Sequence, residues 1–338
     1  MSDGTARDSV ITEVVRKAIG TWCMPCFPPE DVTNWAILRY IAATSDPNPL
    51  WRDDAYSQNT RWGGVIAPPT FIDIYSPQNR QWRELSGGQL PVVHPVGFPY
   101  VRTFLGSEEF EFYDPIRPGD AARSKCVLEE VSERESGSGR GRLVFSKYDI
   151  TYYNQLDVLV TRQKYTFVSV ESPPLAAQAR RREVPEGSAV PAATSPKQLY
   201  FEDIEVGAPI PPMDKSITFT TLLKFGGATG TMGLPHFDFK YMTRVLGMSD
   251  VIAHGELSCA YLAQLITNWI GGWGVFKKHL TQCRGNVFPG DIITFGGRVA
   301  DKYTRHGEGT VECDTRAENQ HGEIVSLGKS TVTLPSKG

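Results

Sequence analysis

Neither a long apolar run nor a marked excess of one charge occurs in this chain of 338 residues. No stretch approaches the ~18 unbroken apolar residues of a membrane-spanning helix, and the N-terminus lacks the apolar core of a signal peptide. The formal net charge of −3 gives no global field toward nucleic acid or an anionic membrane. Six cysteines in so long a chain form no disulfide framework and fit a reducing compartment. We therefore expect a cytoplasmic protein that binds neither nucleic acid nor a membrane.

The composition is that of an ordinary globular protein, with 40% hydrophobic and 22% charged residues. The 32 glycines and 24 prolines favour a turn-rich fold built from strands. Cys23 and Cys26 have the spacing of a metal or redox pair. Because no second pair follows them, we predict no metal site.

An internal repeat runs through the chain. Ala43-Thr44 recurs as Ala228-Thr229, 185 residues further on. Other blocks follow in the same order, pairing GVIAPPTF (64–71) with DVIAHGEL (250–257), RPGD (117–120) with FPGD (288–291), and Asn154-Gln155 with Asn319-Gln320. Blocks that keep one order on both sides indicate a duplicated fold. We place the two domains at 1–170 and 199–338, with a Pro-, Ala- and Ser-rich linker at 171–198.

The two halves share a predicted order of elements. Each opens with a helix and ends in a hairpin, at 31–44 and 142–170 in the first half and at 220–229 and 309–334 in the second. Residues 256–270 are apolar on most sides, which indicates a buried helix with a sheet wrapped around it. Pro77 cuts the corresponding helix of the first half short. The volume left unfilled there predicts a pocket.

These blocks resemble the MaoC-like dehydratase family, with its (R)-specific enoyl-CoA hydratases, in the double-hotdog form. The first half is similar to the FAS1-like dehydratase N-terminal domain at 45–56 and 61–71, and the second half to the catalytic hotdog at 225–230, 250–255 and 286–291. The resemblance implies an α+β fold of two tandem hotdogs, each an antiparallel sheet around a central helix, related by a pseudo-twofold axis. It also implies an acyl-CoA or acyl-carrier thioester as substrate, no cofactor beyond coenzyme A, and a dimer or a complex with a second hotdog subunit.

The active loop of that family reads Gly-Asp-x-Asn-Pro-Ile/Leu-His. In the second half the loop spans 230–236, where it keeps His236 and has Thr231 in place of the aspartate. In the first half it spans 45–51, where it keeps Asp46 and has Trp51 in place of the histidine. Hydration needs an acid/base pair around one water. Because each loop keeps only one member of that pair, neither half carries the complete pair.

The resemblance assigns roles to residues of the second half. His236 would be the acid/base, the N–H of Gly255 would be the oxyanion donor at a helix start, and Thr231 would hold the water. Glu256 is a further candidate carboxylate. Three ways to complete the chemistry stay open: His236 acts alone or with Glu256, Asp46 meets His236 across the pseudo-twofold axis, or a partner subunit supplies the pair.

The predicted substrate-binding residues are Trp51, Asp46, His254, Lys277 and Arg284. We expect a bulky acyl group beside Trp51, Pro68, Pro69 and the 72–100 insert, with Lys277 and Arg284 on the coenzyme A phosphates. The sequence thus predicts an enoyl-CoA hydratase or 3-hydroxyacyl-thioester dehydratase. A non-catalytic acyl-CoA-binding subunit and a thioesterase using Glu256 remain alternatives.

Overall fold

The structure, a computed structural model, describes residues 9–21, 30–76, 102–137, 141–171 and 197–337. The Cys23–Cys26 pair and nearly all of the predicted linker and insert lie outside the described residues. Within these ranges the α-helices are α1 (Glu13–Ala18), α2 (Asn34–Ala43), α3 (Asp54–Gln58), α4 (Phe219–Thr229), α5 (Phe239–Arg244) and α6 (Gly255–Ile270). Short 3-10 helices cover Pro49–Trp51, Pro69–Tyr75, Phe201–Asp203 and Leu234–His236. None of the described helices is both long and apolar enough to pass through a bilayer.

Ten strands in the described ranges form one antiparallel sheet. They are β1 (Glu30–Asp31), β2 (Arg102–Phe112), β3 (Ala121–Glu135), β4 (Arg142–Tyr153), β5 (Leu159–Val170), β6 (Pro209–Ser216), β7 (Val275–Cys283), β8 (Ile292–Arg305), β9 (Glu308–Asn319) and β10 (Ile324–Leu334). Their order is β1-β3-β4-β5-β2-β7-β10-β9-β8-β6. Counted outward from the β2–β7 junction, the two halves therefore have the same strand order, as a duplicated fold requires.

The β2–β7 junction joins the halves. Ser107 pairs with Gln282 and Glu111 with Lys278, so five residues of each strand form the continuous ladder. Aromatic rings reinforce it, since the ring of Phe112 stacks on Phe276 with centroids 5.4 Å apart. The core of each half consequently continues into the other.

The second half wraps its sheet around α6, as its sequence predicts. Twelve of the sixteen residues of α6 are buried, and Gly271 ends the helix with φ of 74°. A left-handed φ favours glycine because a Cβ is strained there. The helix thus ends at Ile270, the last residue of the range 256–270 that the sequence predicts.

In the first half the place of α6 is taken by the short 3-10 helix Pro69–Tyr75. Pro68 caps this helix where His254 caps α6, so Pro69 corresponds to Gly255 in the repeat. Proline suits the first turn of a helix because that N–H has no partner within the helix. The first half therefore has the shortened central helix that the sequence predicts.

Candidate active site

Two stacked imidazoles form the centre of the candidate site. The rings of His236 and His254 lie with centroids 3.7 Å apart and planes 22° apart. His236 ends the 3-10 helix Leu234–His236, and His254 is the N-cap residue of α6. The active loop of the second half is thereby held against the residue that precedes Gly255.

Hydrogen bonds fix the tautomer of His236. Its Nδ1 lies 2.8 Å from the carbonyl oxygen of Ile252. A carbonyl oxygen only accepts, so Nδ1 carries the proton and Nε2 of the neutral ring is left as a base. By the same argument, Nε2 of His254 donates to the carbonyl oxygen of Thr231 at 3.0 Å.

Burial keeps both imidazoles neutral. Desolvation lowers the pKa of His236 to about 4, although the bond to Ile252 opposes the shift. The pKa of His254 is also well below its ordinary value, because of desolvation and then of the neighbouring His236. At neutral pH His236 is thus ready to accept a proton rather than to donate one.

Gly255 is packed where a side chain would not fit freely. A Cβ built on it would lie 2.8 Å from Cδ2 of Leu105 on β2 and 3.2 Å from Sγ of Cys283 on β7. Gly255 is also the first residue of α6, so its N–H has no acceptor within the helix. A free N–H at a helix start is a ready donor to developing negative charge.

Thr231 fills the position of the family aspartate without supplying a carboxylate. Its backbone N–H donates to Oγ1 of Thr229 at 3.3 Å, and the two hydroxyl oxygens lie 3.1 Å apart. A threonine hydroxyl can hold a water but is no base near neutral pH. His236 therefore faces the site without the usual partner on this loop.

The carboxylate retained by the first half is used within its own loop. Asp46 is buried and accepts the indole N–H of Trp51 at 2.9 Å and the backbone N–H of Asn48 at 3.0 Å. Lys215 from β6 donates to the carbonyl oxygens of Thr44 and Ser45, each at 3.0 Å. The structure does not bring Asp46 to His236, whose side chain lies instead against Ile252, Phe237 and His254.

Glu256 faces acids rather than the imidazole pair. Burial raises its pKa to about 7, and the charge of Asp73 adds to that rise. The charge of Glu256 in turn raises the pKa of Glu108 on β2 and of Cys283 on β7. His236 is not among the described groups that shift the pKa of Glu256, and Glu256 is not among those that shift the pKa of His236. The pairing of Glu256 with His236 considered from the sequence is not supported by this arrangement.

Sequence reasoning missed a buried polar network beside Glu256. Tyr165 donates to Asp73, and the side-chain amide of Gln163 bridges Asp73 at 3.1 Å and Glu108 at 2.6 Å. Strand alternation was the available signal, because Glu108 shares a face of β2 with the fully buried Phe110. This network fills the part of the first half that faces α6.

A cavity of about 220 Å³ lies at the other end of α6. Its lining includes Trp51, Pro68 and Pro69, where the sequence placed the acyl group, together with Lys277. Thr267 and Ile270 near the C-terminus of α6 close it. These residues are about 20 Å along the helix from Gly255. The predicted pocket exists, but it adjoins the loop of the first half rather than His236.

Lys277 and Arg284 lie too far apart to hold one phosphate. Arg284 directly follows β7 and is seven positions beyond Lys277, which corresponds to about 23 Å of extended chain. Lys277 pairs with Glu308 at 3.5 Å, whereas the exposed Arg284 donates to Gln282 at 2.5 Å. Of the two, only Arg284 is on the Gly255 side, and the expectation that both contact coenzyme A phosphates stays a prediction.

Over the described part of the chain, no group of three or more His, Cys, Asp or Glu side chains is arranged to hold a metal ion. Asp73 instead accepts from Tyr165 and Gln163, and Oε1 of Glu108 accepts from Gln163.

Residues 17–163 match the family model described as the FAS1-like dehydratase domain region. A UPF0336 protein of Thermobifida fusca is 30% identical over 103 residues, which cover 30% of this chain and 63% of that protein. A mesaconyl-C(4)-CoA hydratase of Chloroflexus aurantiacus is 25% identical over 185 residues, which cover 53% of this chain and 54% of the hydratase. Both alignments span less than two thirds of the relative's own length.

Solved structures match over nearly the whole chain. A MaoC-like dehydratase superimposes with a TM-score of 0.72 at 20% identity, covering 97% of this chain and 100% of that one. A Mycobacterium tuberculosis protein described as having a double hotdog fold gives a TM-score of 0.62 at 11% identity, covering 93% and 98%. The predicted α+β double hotdog is confirmed by these matches and by the observed sheet. The resemblance inferred from the sequence is likewise confirmed: residues 17–163 match the FAS1-like dehydratase family model, and the chain has the double-hotdog fold seen in a solved MaoC-like dehydratase.

Proposed function

We propose that the chain is a hydro-lyase of the enoyl-CoA hydratase or dehydratase type, with His236 as its acid/base. One observation carries the proposal: the Nδ1–H of His236 donates to Ile252, which leaves the basic Nε2 beside the N-cap residue of α6. The hydratase among the relatives and the dehydratase fold support the reaction class.

The proposed hydration needs one base and one oxyanion donor. Nε2 of His236 takes a proton from the water, whose oxygen bonds to the β carbon of the conjugated thioester. The negative charge that develops on the thioester oxygen is stabilised by the N–H of Gly255. The imidazolium then returns its proton to the α carbon, so that one water is added in total. Dehydration is the same path in reverse.

Replacement of the imidazole is the first test. We expect His236→Ala to lower kcat/KM by about 10² to 10⁴, the usual contribution of a positioned acid/base. The assay is hydration of straight, branched and ring-bearing enoyl-CoAs by the purified chain. His321→Ala is the matched control because that ring is exposed on the β9–β10 turn. Equal rates for wild type and His236→Ala, both folded by circular dichroism, would refute the proposal.

The absent aspartate supports one second candidate. Thr231 offers only a hydroxyl, so the chain could bind the thioester while another subunit supplies the acid/base pair. Turnover that occurs only after a partner protein is added, and that survives His236→Ala, would select this alternative. Release of free thiol that is abolished by Glu256→Gln would instead indicate a thioesterase.

A further inference from the structure

The cavity against Trp51 occupies the position in the first half that corresponds to the candidate site of the second. Trp51 is in register with His236, and Pro69 is in register with Gly255. Trp51 has no basic nitrogen, and Pro69 has no N–H to give to an oxyanion. Because the wall lacks these groups, this position can hold a ligand but not hydrate it.

The wall of the cavity is suited to a flat apolar group. Trp51, Phe112 and Phe276 line it, and the last two rings are stacked. The volume of about 220 Å³ exceeds the ~150 Å³ of an engineered cavity that binds benzene. One aromatic ring with a short substituent therefore fits.

One polar group on the wall lacks a partner. Nε1 of Trp62, a lining residue, is buried and has no acceptor within the described ranges. The equivalent N–H of Trp51 is different, since Asp46 accepts it. A buried indole N–H without an acceptor is costly, and a ligand oxygen would remove that cost.

The rim adds positive charge. The guanidinium of Arg61 lies 5.3 Å from the ring centre of Trp62, and no ion pair to Arg61 is found among the described residues. Lys277 also lies on the rim, but it is paired with Glu308. Asp114 is the acid of the same lining. An anionic oxygen near Trp62 would thus meet an uncommitted arginine.

We propose that this cavity is a second, non-catalytic ligand site for a compact aromatic acyl group whose oxygen accepts the Trp62 N–H. The acyl group can come from a free carboxylate or from a coenzyme A thioester. The site is separate from the one at His236, and the proposal does not rest on the hydratase activity.

Binding is tested by the quenching of tryptophan fluorescence and by calorimetry, with phenylacetate, phenylacetamide, phenylacetyl-CoA and coenzyme A alone. We expect one phenylacetate per chain and no cavity binding of coenzyme A alone. Trp62→Phe keeps the ring but removes the N–H, and should weaken both phenylacetate and phenylacetamide about tenfold. Arg61→Gln should weaken phenylacetate alone, more strongly at low salt. Trp35→Phe on the exposed face of α2 is the control.

The two sites are separated by repeating the titrations with His236→Ala. Phenylacetate should bind this variant as tightly as wild type, and should not displace bound crotonyl-CoA from it. Displacement would show that the cavity belongs to the substrate of His236, which overturns a separate site. Absence of phenylacetate and phenylacetyl-CoA binding, or binding unchanged in both Trp62→Phe and Arg61→Gln, would also overturn it. Loss of hydratase activity alone would leave these titrations unaffected.

Discussion

His236 and His254 stack so closely that the two rings do not both carry a proton. Two imidazolium cations would repel each other at a centroid distance of 3.7 Å. Burial favours the neutral form of each ring, and it outweighs the bonds to the carbonyl oxygens of Ile252 and Thr231, which act in the opposite direction. The pair is thus set up for a base, and the missing component at this scale is a carboxylate.

Restoring that carboxylate gives a prediction. Thr231→Asp should raise kcat/KM for hydration by about tenfold or more, because an acid beside the imidazoles completes the acid/base pair. The added charge should also raise the pKa of His236, and so move the acidic limb of the pH–rate profile upward. Thr231→Asn, which has the same shape without the charge, is the control. Equal rates for the two variants would contradict this role of position 231.

Among the elements, the two strands at the junction matter most. The ring of Phe110 is fully buried on β2 and stacks on Phe112, which stacks in turn on Phe276 of β7. Such offset pairs add stability beyond their buried area. The junction therefore couples the folding of the two halves.

Phe110→Ala measures this coupling. We expect it to lower the free energy of unfolding by about 3–5 kcal/mol, as is usual for a large ring removed from a core. Urea unfolding followed by circular dichroism gives the value. Val245→Ala is the control, because that side chain is 53% exposed. A loss below about 1 kcal/mol would show that the stacked rings contribute little.

The start of α6 makes stability depend on pH through Glu256. Its pKa in the folded state, about 7, is raised above the ordinary 4.5 by burial and by Asp73. The folded state therefore binds this proton more strongly than the unfolded state does. The stability that the protonated Glu256 contributes is complete below pH 4.5 and is lost as the pH rises through about 7. Glu256→Gln should therefore gain stability relative to wild type between pH 5 and pH 8.

Unfolding in urea at the two pH values checks this expectation. The exposed Glu205→Gln is the control and should shift equally at both. If the difference between Glu256→Gln and wild type has the same size at pH 5 and pH 8, the carboxyl is not the titrating group.

At the scale of the whole molecule, the described residues form one sheet with two similar ends. β2 and β7 are inner strands only because they pair with each other. Each would be an unprotected edge in a separated half, and long apolar edges promote aggregation.

Separation of the halves tests this dependence. Residues 1–170 and 199–338 expressed alone should be insoluble or aggregated, whereas their co-expression should give a one-to-one complex. Size-exclusion chromatography distinguishes the outcomes. A half that runs as a folded monomer would show that the junction is dispensable.

Much of this architecture is predictable because repeated blocks and buried-helix periodicity are properties of the chain itself. The central helix, both hairpins and the shortened element at Pro69 follow from such patterns. The network of Asp73, Glu108 and Gln163 does not, because its bonds depend on how β2 is registered against its neighbours. The partners of Asp46 could not be predicted either, because the sequence of a loop does not show whether an aspartate in it accepts from a neighbouring indole or from a substrate.

Because of Pro69, the first half differs from the second in its main chain as well as in its side chains: Pro69 has no N–H where Gly255 has one. Exchange of Trp51 for histidine would return an imidazole, but the ring nitrogen of a proline would still offer no hydrogen to an enolate. Two coordinated replacements, one of them in a helix start built around that proline, would be needed to revive chemistry there. No single substitution would therefore give the first half both an imidazole and an oxyanion donor, so this half can bind a ligand without becoming a second catalytic site.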